Sequence, residues 1–168
     1  SSGAEIELVN VEEREKLLRN FLRDVDQLFD VIFIDCPPTL GILTVNALVA
    51  SRSILVPVQC EYYAMEGLSR LVGNIDRVRQ SFNPDLQLEG IVLTMFDARN
   101  TLARQVLAQV REYFKDVVYD TVIPRNVTLA EAPSYGRPAM LYNASSSGSQ
   151  AYLSLAKEFV SHGEESAR

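Results

Sequence analysis

The sequence predicts an α/β fold, a mostly parallel sheet with flanking helices, and three features of its 168 residues carry that prediction. Helical and strand signals alternate along the chain. The strand candidates are short, uniformly apolar and rich in β-branched residues, the pattern of strands buried on both faces. The segments between them are long enough to cross over as right-handed helical connections.

Taken in order, Leu18, Phe21, Leu22, Val25 and Leu28 recur at helical spacing and predict an amphipathic helix over about 11–28. Val31-Ile32-Phe33-Ile34 predicts a buried strand, 40–50 a helix, and Ser53-Ile54-Leu55-Val56 a second strand ended by Pro57. A helix over 65–81 is expected to stop near Asn83-Pro84, with a third strand over 88–95 and a helix over 100–114. A fourth strand over 117–122 precedes Pro124. Residues 125–148, rich in Pro, Gly, Asn and Ser, predict a long functional loop with one short helix. A last helix over 149–160 leads to a frayed polar tail at 163–168, and the whole chain is expected to be a single α/β domain.

Composition narrows the function classes. Apolar residues at 47% and charged residues at 23% are those of a soluble globular protein. No apolar run approaches the roughly 18 residues that span a bilayer. The first thirty residues carry eight acids and no apolar h-region, so no signal peptide is expected, and the location expected is cytoplasmic. Cys36 and Cys60 match no metal-ligand spacing and are expected to be reduced, buried thiols, while His162 falls in the polar tail and is assigned no role. The net charge of −6 argues against nucleic acid as a bulk partner, but it is uneven. Residues 1–30 carry eight acids against four bases, and residues 91–140 carry six bases against five acids.

Four apolar residues followed by Asp35 put a carboxylate at the carboxyl end of a strand, the edge where open α/β sheets bind ligands. In nucleotide-binding proteins such an Asp, a Walker B residue, holds Mg2+ directly or through a water, because a hard cation takes oxygen ligands. A strand-terminating Asp before a Pro-Pro turn gives the same octet, so this segment alone leaves both readings open.

The longer segment Asp35-Cys36-Pro37-Pro38-Thr39-Leu40-Gly41-Ile42-Leu43-Thr44-Val45-Asn46-Ala47 resembles the Walker B and switch segment of ParA/Soj-type partitioning ATPases. Val56 to Leu68, Leu93 to Arg99, and Ile123 to Val127 followed by Leu129 to Pro138 resemble three further signatures of that family, in its order and spacing. The likeness runs from about residue 4 to 160. It implies a P-loop-type fold, here incomplete at the amino-terminal side. It also implies an ATPase that uses ATP and Mg2+, forms a homodimer with ATP, binds DNA non-specifically as a nucleoid-associated protein, and is stimulated by a ParB-type centromere-binding partner. By the same resemblance Asp35 is the Walker B and catalytic carboxylate, and Pro37 to Gly41 the switch that senses the γ-phosphate. Thr94 then ends a strand beside the base, and Pro124, Arg125 and Asn126 begin the loop around the adenine. Pro124 blocks strand continuation, which suits such a loop, and an ordinary strand-ending turn would look the same. Tyr62 and Tyr63 offer stacking faces, or core or dimer packing.

Two departures qualify the resemblance. No G-x-x-x-x-G-K-[ST] phosphate loop occurs in these residues, so the chain is expected to be the carboxyl-terminal part of such an ATPase domain, inactive alone. Thr128 stands where members of the family often carry another Arg. Independently of the family, a helix over 100–114 aligns Arg104, Arg111 and Lys115 within about 20° of one line, with Leu102, Val106, Val110 and Tyr113 opposite. With Arg125 and Arg137 these form the candidate DNA contacts, and a merely solvated basic face is the competing reading.

Three other readings stand beside the partitioning ATPase. A MinD-like positioning ATPase acts at the membrane through a basic amphipathic last helix. Here that helix, with Tyr152, Leu155, Ala156 and Phe159 on one side, has only Lys157 and ends in Gly163-Glu164-Glu165, so no membrane partner is expected. A relative of the nitrogenase iron protein needs exposed cluster cysteines, which Cys36 and Cys60 do not suggest. A non-catalytic binding or dimerisation module fits the chain better than it fits a longer parent.

Overall fold

The computed structural model describes residues 11–37, 39 and 41–166. Its regular elements are α1 (Leu17–Leu22), α2 (Ile42–Ala50), β1 (Ser53–Gln59), α3 (Ala64–Ser81), β2 (Gln87–Thr94), α4 (Thr101–Phe114), α5 (Val127–Glu131), α6 (Ala139–Tyr142) and α7 (Ser147–Ser166). The architecture is a parallel sheet with flanking helices, as predicted. The chain divides into two compact units, Ser1–Ile54 with Arg70–Leu88, and Leu55–Ser69 with Glu89–Arg168.

In the first unit, Leu48 and Val49 of α2 pack with Ile75 and Val78 of α3 and with Leu86. Asn83 donates to the carbonyls of Leu48 and Ser51 at 2.9 and 2.8 Å, closing the carboxyl end of α2, whose last carbonyls have no helical partner. Asn46, buried at 4% exposure, accepts from the Leu18 N–H at 3.1 Å and donates to the Arg14 carbonyl at 2.7 Å. This one side chain ties the start of α1 to α2.

Two predicted elements of this unit take another form. The helix expected over 11–28 is a 3-10 turn at Arg14–Lys16, the six-residue α1, and a second 3-10 turn at Asp26–Leu28. Phe21 and Leu28 are 70% and 72% exposed, so much of the apolar stripe that would stabilise one continuous helix stays in water. The described sheet holds only β1 and β2, and Val31–Ile34 lies outside any strand among the described residues. Its residues alternate, Val31 and Phe33 exposed, Ile32 and Ile34 half-buried, where burial on both faces was expected.

β1 and β2 pair in parallel, the Gln87 N–H bonding the Arg52 carbonyl at 2.9 Å and the Cys60 N–H the Thr94 carbonyl at 3.0 Å. β2 is the strand buried on both faces, with Gly90 to Leu93 all enclosed. β1 runs through Pro57 instead of ending before it. Val56 and Val58 point inward and Pro57 outward, and a proline without N–H is tolerated on a strand side that carries no ladder.

In the second unit the core joins Val92, Tyr119 and Ile123 to Leu55, Leu129, Ala151, Leu155 and Phe159. The expected fourth strand over 117–122 appears only as one parallel bridge, Ile91 with Val118, and a second bridge, Phe96 with Pro124, follows beyond it. Tyr119 N–H bonds the Ile91 carbonyl at 2.9 Å, and the next bond to β2 is Ile123 N–H to Leu93, at 2.8 Å. Four residues on one side thus match two on the other, and the ladder bulges at Asp120 and Thr121. Gly90 is required beside this run, since a Cβ there would lie 2.1 Å from the Tyr119 ring.

Residues 125–148 hold two short helices, α5 and α6, and a 3-10 turn at Ala132–Tyr135, more order than the predicted loop with one helix. α7 begins at Ser147 and continues to Ser166, so residues 163–166 are helical where a frayed tail was expected. Its core-facing residues are Ala151, Leu155 and Phe159, while Tyr152 and Ala156 are exposed.

Candidate nucleotide and nucleic-acid site

The carboxyl-terminal edge of the sheet in the second unit is built by three chain segments. β1 delivers Cys60 and Glu61, β2 delivers Thr94 to Asp97, and the bulged run delivers Pro124 to Asn126. Phe96 N–H bonds the Ile123 carbonyl at 3.1 Å and Arg125 N–H bonds the Phe96 carbonyl at 2.9 Å. In a regular parallel ladder the bond from β2 would come from residue 95. Met95 is the extra residue, and its φ of 55° lies in the left-handed region that an L side chain enters only under constraint. Thr94, Pro124, Arg125 and Asn126 are thereby gathered at one edge, the position where open α/β sheets take ligands.

The polar groups there are largely committed to each other. Arg125 pairs with Glu61 at 3.8 Å, both more than half exposed. Arg99 grips Asp97 through Nε and Nη2, each at 3.0 Å, and that hydrogen bonding holds the Asp97 carboxyl down at about 2, with Arg125 adding a smaller pull. Asn126 is the N-cap of α5. Its Oδ1 accepts from the Leu129 N–H at 3.4 Å and its Nδ2 donates to Ser147 Oγ at 2.9 Å. The Asn126 side chain is therefore used within the protein, and the groups of this turn that remain for a ligand are backbone.

Asp35 and Pro37 belong to the first unit. Asp35 is exposed and follows the segment 31–34, which lies outside any strand among the described residues, not the end of a central strand. Thr44 Oγ1 donates to the Thr39 carbonyl at 2.6 Å, folding the switch-like turn back on the first turn of α2. Pro38 and Leu40 of that turn lie outside the described residues. Among the described residues no group of three or more His, Cys, Asp or Glu is arranged to hold a metal ion. A lone exposed carboxylate still fits Mg2+ of the kind held by one protein oxygen and nucleotide phosphates.

The candidate DNA contacts are less aligned than the helical wheel implies. α4 buries Ala103, Val106 and Val110, but Leu102 and Tyr113 are 37% and 71% exposed. Arg104 bonds Thr101 Oγ1 at 3.1 Å and remains exposed. Arg111 Nη2 donates to the Asp120 carbonyl at 3.0 Å. Lys115 lies beyond the last residue of α4 as its C-cap, with φ 48° and ψ −119°, so the line of three breaks there. Arg137, exposed, follows the left-handed Gly136.

The sequence reading missed Glu61, Met95 and Glu158. Nothing in the sequence marks Met95, since left-handed positions favour Gly. Glu158 carries a faint signal, being an acid on the same helix face as Ala151, Leu155 and Phe159. Its carboxylate accepts the N–H groups of Asp120 and Thr121 at 2.6 and 3.0 Å, the second being the group that a regular ladder would give to the Leu93 carbonyl. Burial raises the Glu158 pKa, and hydrogen bonding from Thr121 and Asp120, with nearby His162, outweighs it and holds the carboxyl below its usual range.

A parallel sheet with its loops gathered at the carboxyl edge is the ground plan of nucleotide-binding α/β domains, and the comparisons agree. A family model described as an AAA domain matches residues 2–88, and the chain belongs to that family of P-loop ATPase domains. Its relatives include the chromosome partitioning protein ParA of Myxococcus xanthus, 54% identical over 159 residues that make up 95% of this chain and 56% of that protein. The sporulation initiation inhibitor protein Soj of Bacillus subtilis is 55% identical over 162 residues, 96% of this chain and 64% of that one. Among solved structures, cobyrinic acid a,c-diamide synthase from Mycobacterium smegmatis with bound ATP analog and magnesium is similar at TM-score 0.68 and 37% identity, over 81% of this chain and 61% of that one. The chain thus spans about three-fifths of the length of these relatives. No helix among the described residues is long and apolar enough to cross a membrane.

Proposed function

We propose that this chain is the Walker B and base-side portion of a ParA/Soj-type partitioning ATPase. The observation that carries the reading is the gathering of Thr94, Met95, Pro124, Arg125 and Asn126 at one sheet edge, in a chain 54% identical to the chromosome partitioning protein ParA of Myxococcus xanthus. In this reading the base lies against the backbone of Thr94 to Phe96 and Pro124 to Arg125. Pro124 offers no N–H there, and Asn126 acts by holding α5 in place. Asp35 supplies the oxygen that organises Mg2+ beside the phosphates, and residues 37–41 respond to the γ-phosphate.

The complete ATPase forms a homodimer with ATP, binds DNA non-specifically through Arg104, Arg111, Lys115, Arg125 and Arg137, and is stimulated by a ParB-type partner. Those contacts are with phosphates, so they are blind to sequence. The 168-residue chain alone does not turn over ATP, because the triphosphate needs a backbone cradle and lysines that these residues do not contain.

The test is ATP hydrolysis with Mg2+ by this chain, by a protein of the relatives' full length, and by that protein carrying Asp35→Ala. The chain is expected to show no turnover above a mock preparation. The variant is expected to lose roughly 10²–10³ in rate. A variant within threefold of its parent would leave Asp35 with no role at the metal.

A further inference from the structure

We infer that Glu158 is a positioning residue for the turn Pro124–Asn126, an inference that rests on the nucleotide reading of that turn. A parallel ladder would carry the Thr121 N–H to the Leu93 carbonyl, but that carbonyl takes the Ile123 N–H instead. The three residues Asp120 to Val122 between the two ladder bonds match one residue of β2, and the half-buried Thr121 N–H needs another acceptor. Glu158 accepts the Asp120 N–H on one carboxylate oxygen and the Thr121 N–H on the other, so a side chain from α7 holds the bulge, beside Arg111 of α4, which donates to the Asp120 carbonyl at 3.0 Å. The place of the bulge sets the register of the turn after it. Were the ladder to slip back by two residues, Pro124 and Arg125 would move along the edge by about 6–7 Å.

Two further contacts tie the same helix to the far side of the turn. Asn126 Nδ2 donates to Ser147 Oγ at 2.9 Å. Gly148 lies so close to α5 that a Cβ there would meet Leu129 Cγ at 2.5 Å. The turn is therefore held from α7 on both sides, and Glu158 is the only charged group among these ties. The Glu158 carboxylate shares its surroundings with His162 and Thr121, and the Tyr119 ring lies 4.9 Å from the His162 ring. All of these belong to the second unit.

The experiment compares amide hydrogen exchange of the 168-residue chain with that of Glu158→Gln and Glu158→Ala, without nucleotide. The inference expects exchange at Asp120, Thr121, Ile123 and Arg125 to rise roughly tenfold or more in Glu158→Ala and less in Glu158→Gln, which keeps the length and one acceptor. The α4 core amides Val106 and Val110 should keep their protection. A rise spread evenly over the second unit would reduce Glu158 to a general stabiliser, and no rise would remove the clamp; either overturns the inference. Glu158→Gln keeps the test open should Glu158→Ala not fold.

A second arm titrates the same three proteins with adenosine and with guanosine and tracks the amide resonances of 94–96 and 125–127. Adenosine should move them in the parent, less in Glu158→Gln and least in Glu158→Ala. If neither nucleoside moves them in the parent, the base-side reading of the turn fails and the positioning role toward a nucleotide fails with it. The exchange data then still report whether the carboxylate fixes the bulge.

Discussion

Tyr119 shows how one residue sets conditions for its surroundings. Its ring is 1% exposed, packed over Gly90 and beside His162. Burial first, and then the Glu89 and Glu158 carboxylates, push the phenol up to about 12. The folded state thus favours the neutral phenol. That stabilisation is fully present below the ordinary value of 10.0 and is lost as pH rises from there through about 12. Alkaline unfolding monitored by circular dichroism should begin in this window, and Tyr119→Phe should move its midpoint upward. An unmoved midpoint would assign alkaline unfolding to other groups. The sequence marks Tyr119 only as one aromatic in an apolar run. Its burial and its two acidic neighbours arise from packing between distant segments. Asn126 is the opposite case, legible as a polar residue after a proline but not as an N-cap, because capping depends on where α5 starts.

At the scale of elements, periodicity locates most of the structure. α2, α3, α4 and β2 fall within two residues of their predicted bounds, because each has a partner layer that rewards its pattern. The misses have two causes. The helix over 11–28 and the strand over 31–34 carry patterns that only a covering layer makes stable, and their apolar faces are exposed here. The run over 117–122 has the composition of a strand but a bulge in its ladder, which arises from the contact with Glu158 and cannot be read locally. α4 illustrates the limit of a helical wheel, since the helix ends one residue before Lys115. If Arg104, Arg111 and Lys115 still meet DNA, replacing all three by Ala in a protein of full family length should flatten the slope of log K against log salt by roughly 2–3 per protomer. Binding should weaken equally for unrelated duplexes. The check is duplex binding across a salt series with ATP present, and an unchanged slope moves the contact to Arg125 or Arg137.

At the scale of the whole molecule, the apolar side chains left in water near the start of the chain matter most. Phe21, Leu28, Phe29, Val31 and Phe33 are 70%, 72%, 62%, 52% and 71% exposed. The 168-residue chain should therefore self-associate with rising concentration, which sedimentation velocity reads directly. Val31→Lys combined with Phe33→Glu should shift it toward the monomer. A parent that stays monomeric up to about 100 µM, within the range where exposed apolar surface drives association, would count against this.

The two thiols differ in a way that has a practical use. Cys60 is enclosed at 4% exposure, while Cys36 is exposed and immediately follows Asp35. Burial raises both thiol pKa values, and the Asp35 charge adds to the rise at Cys36, so neither is a fast nucleophile at neutral pH. Under mildly alkaline alkylation, accessibility then selects Cys36. The 168-residue chain thus carries a single accessible attachment point for a fluorophore or spin label, at the residue next to the carboxylate proposed for magnesium. The turn over 37–41 can be observed from there without engineering a cysteine into it.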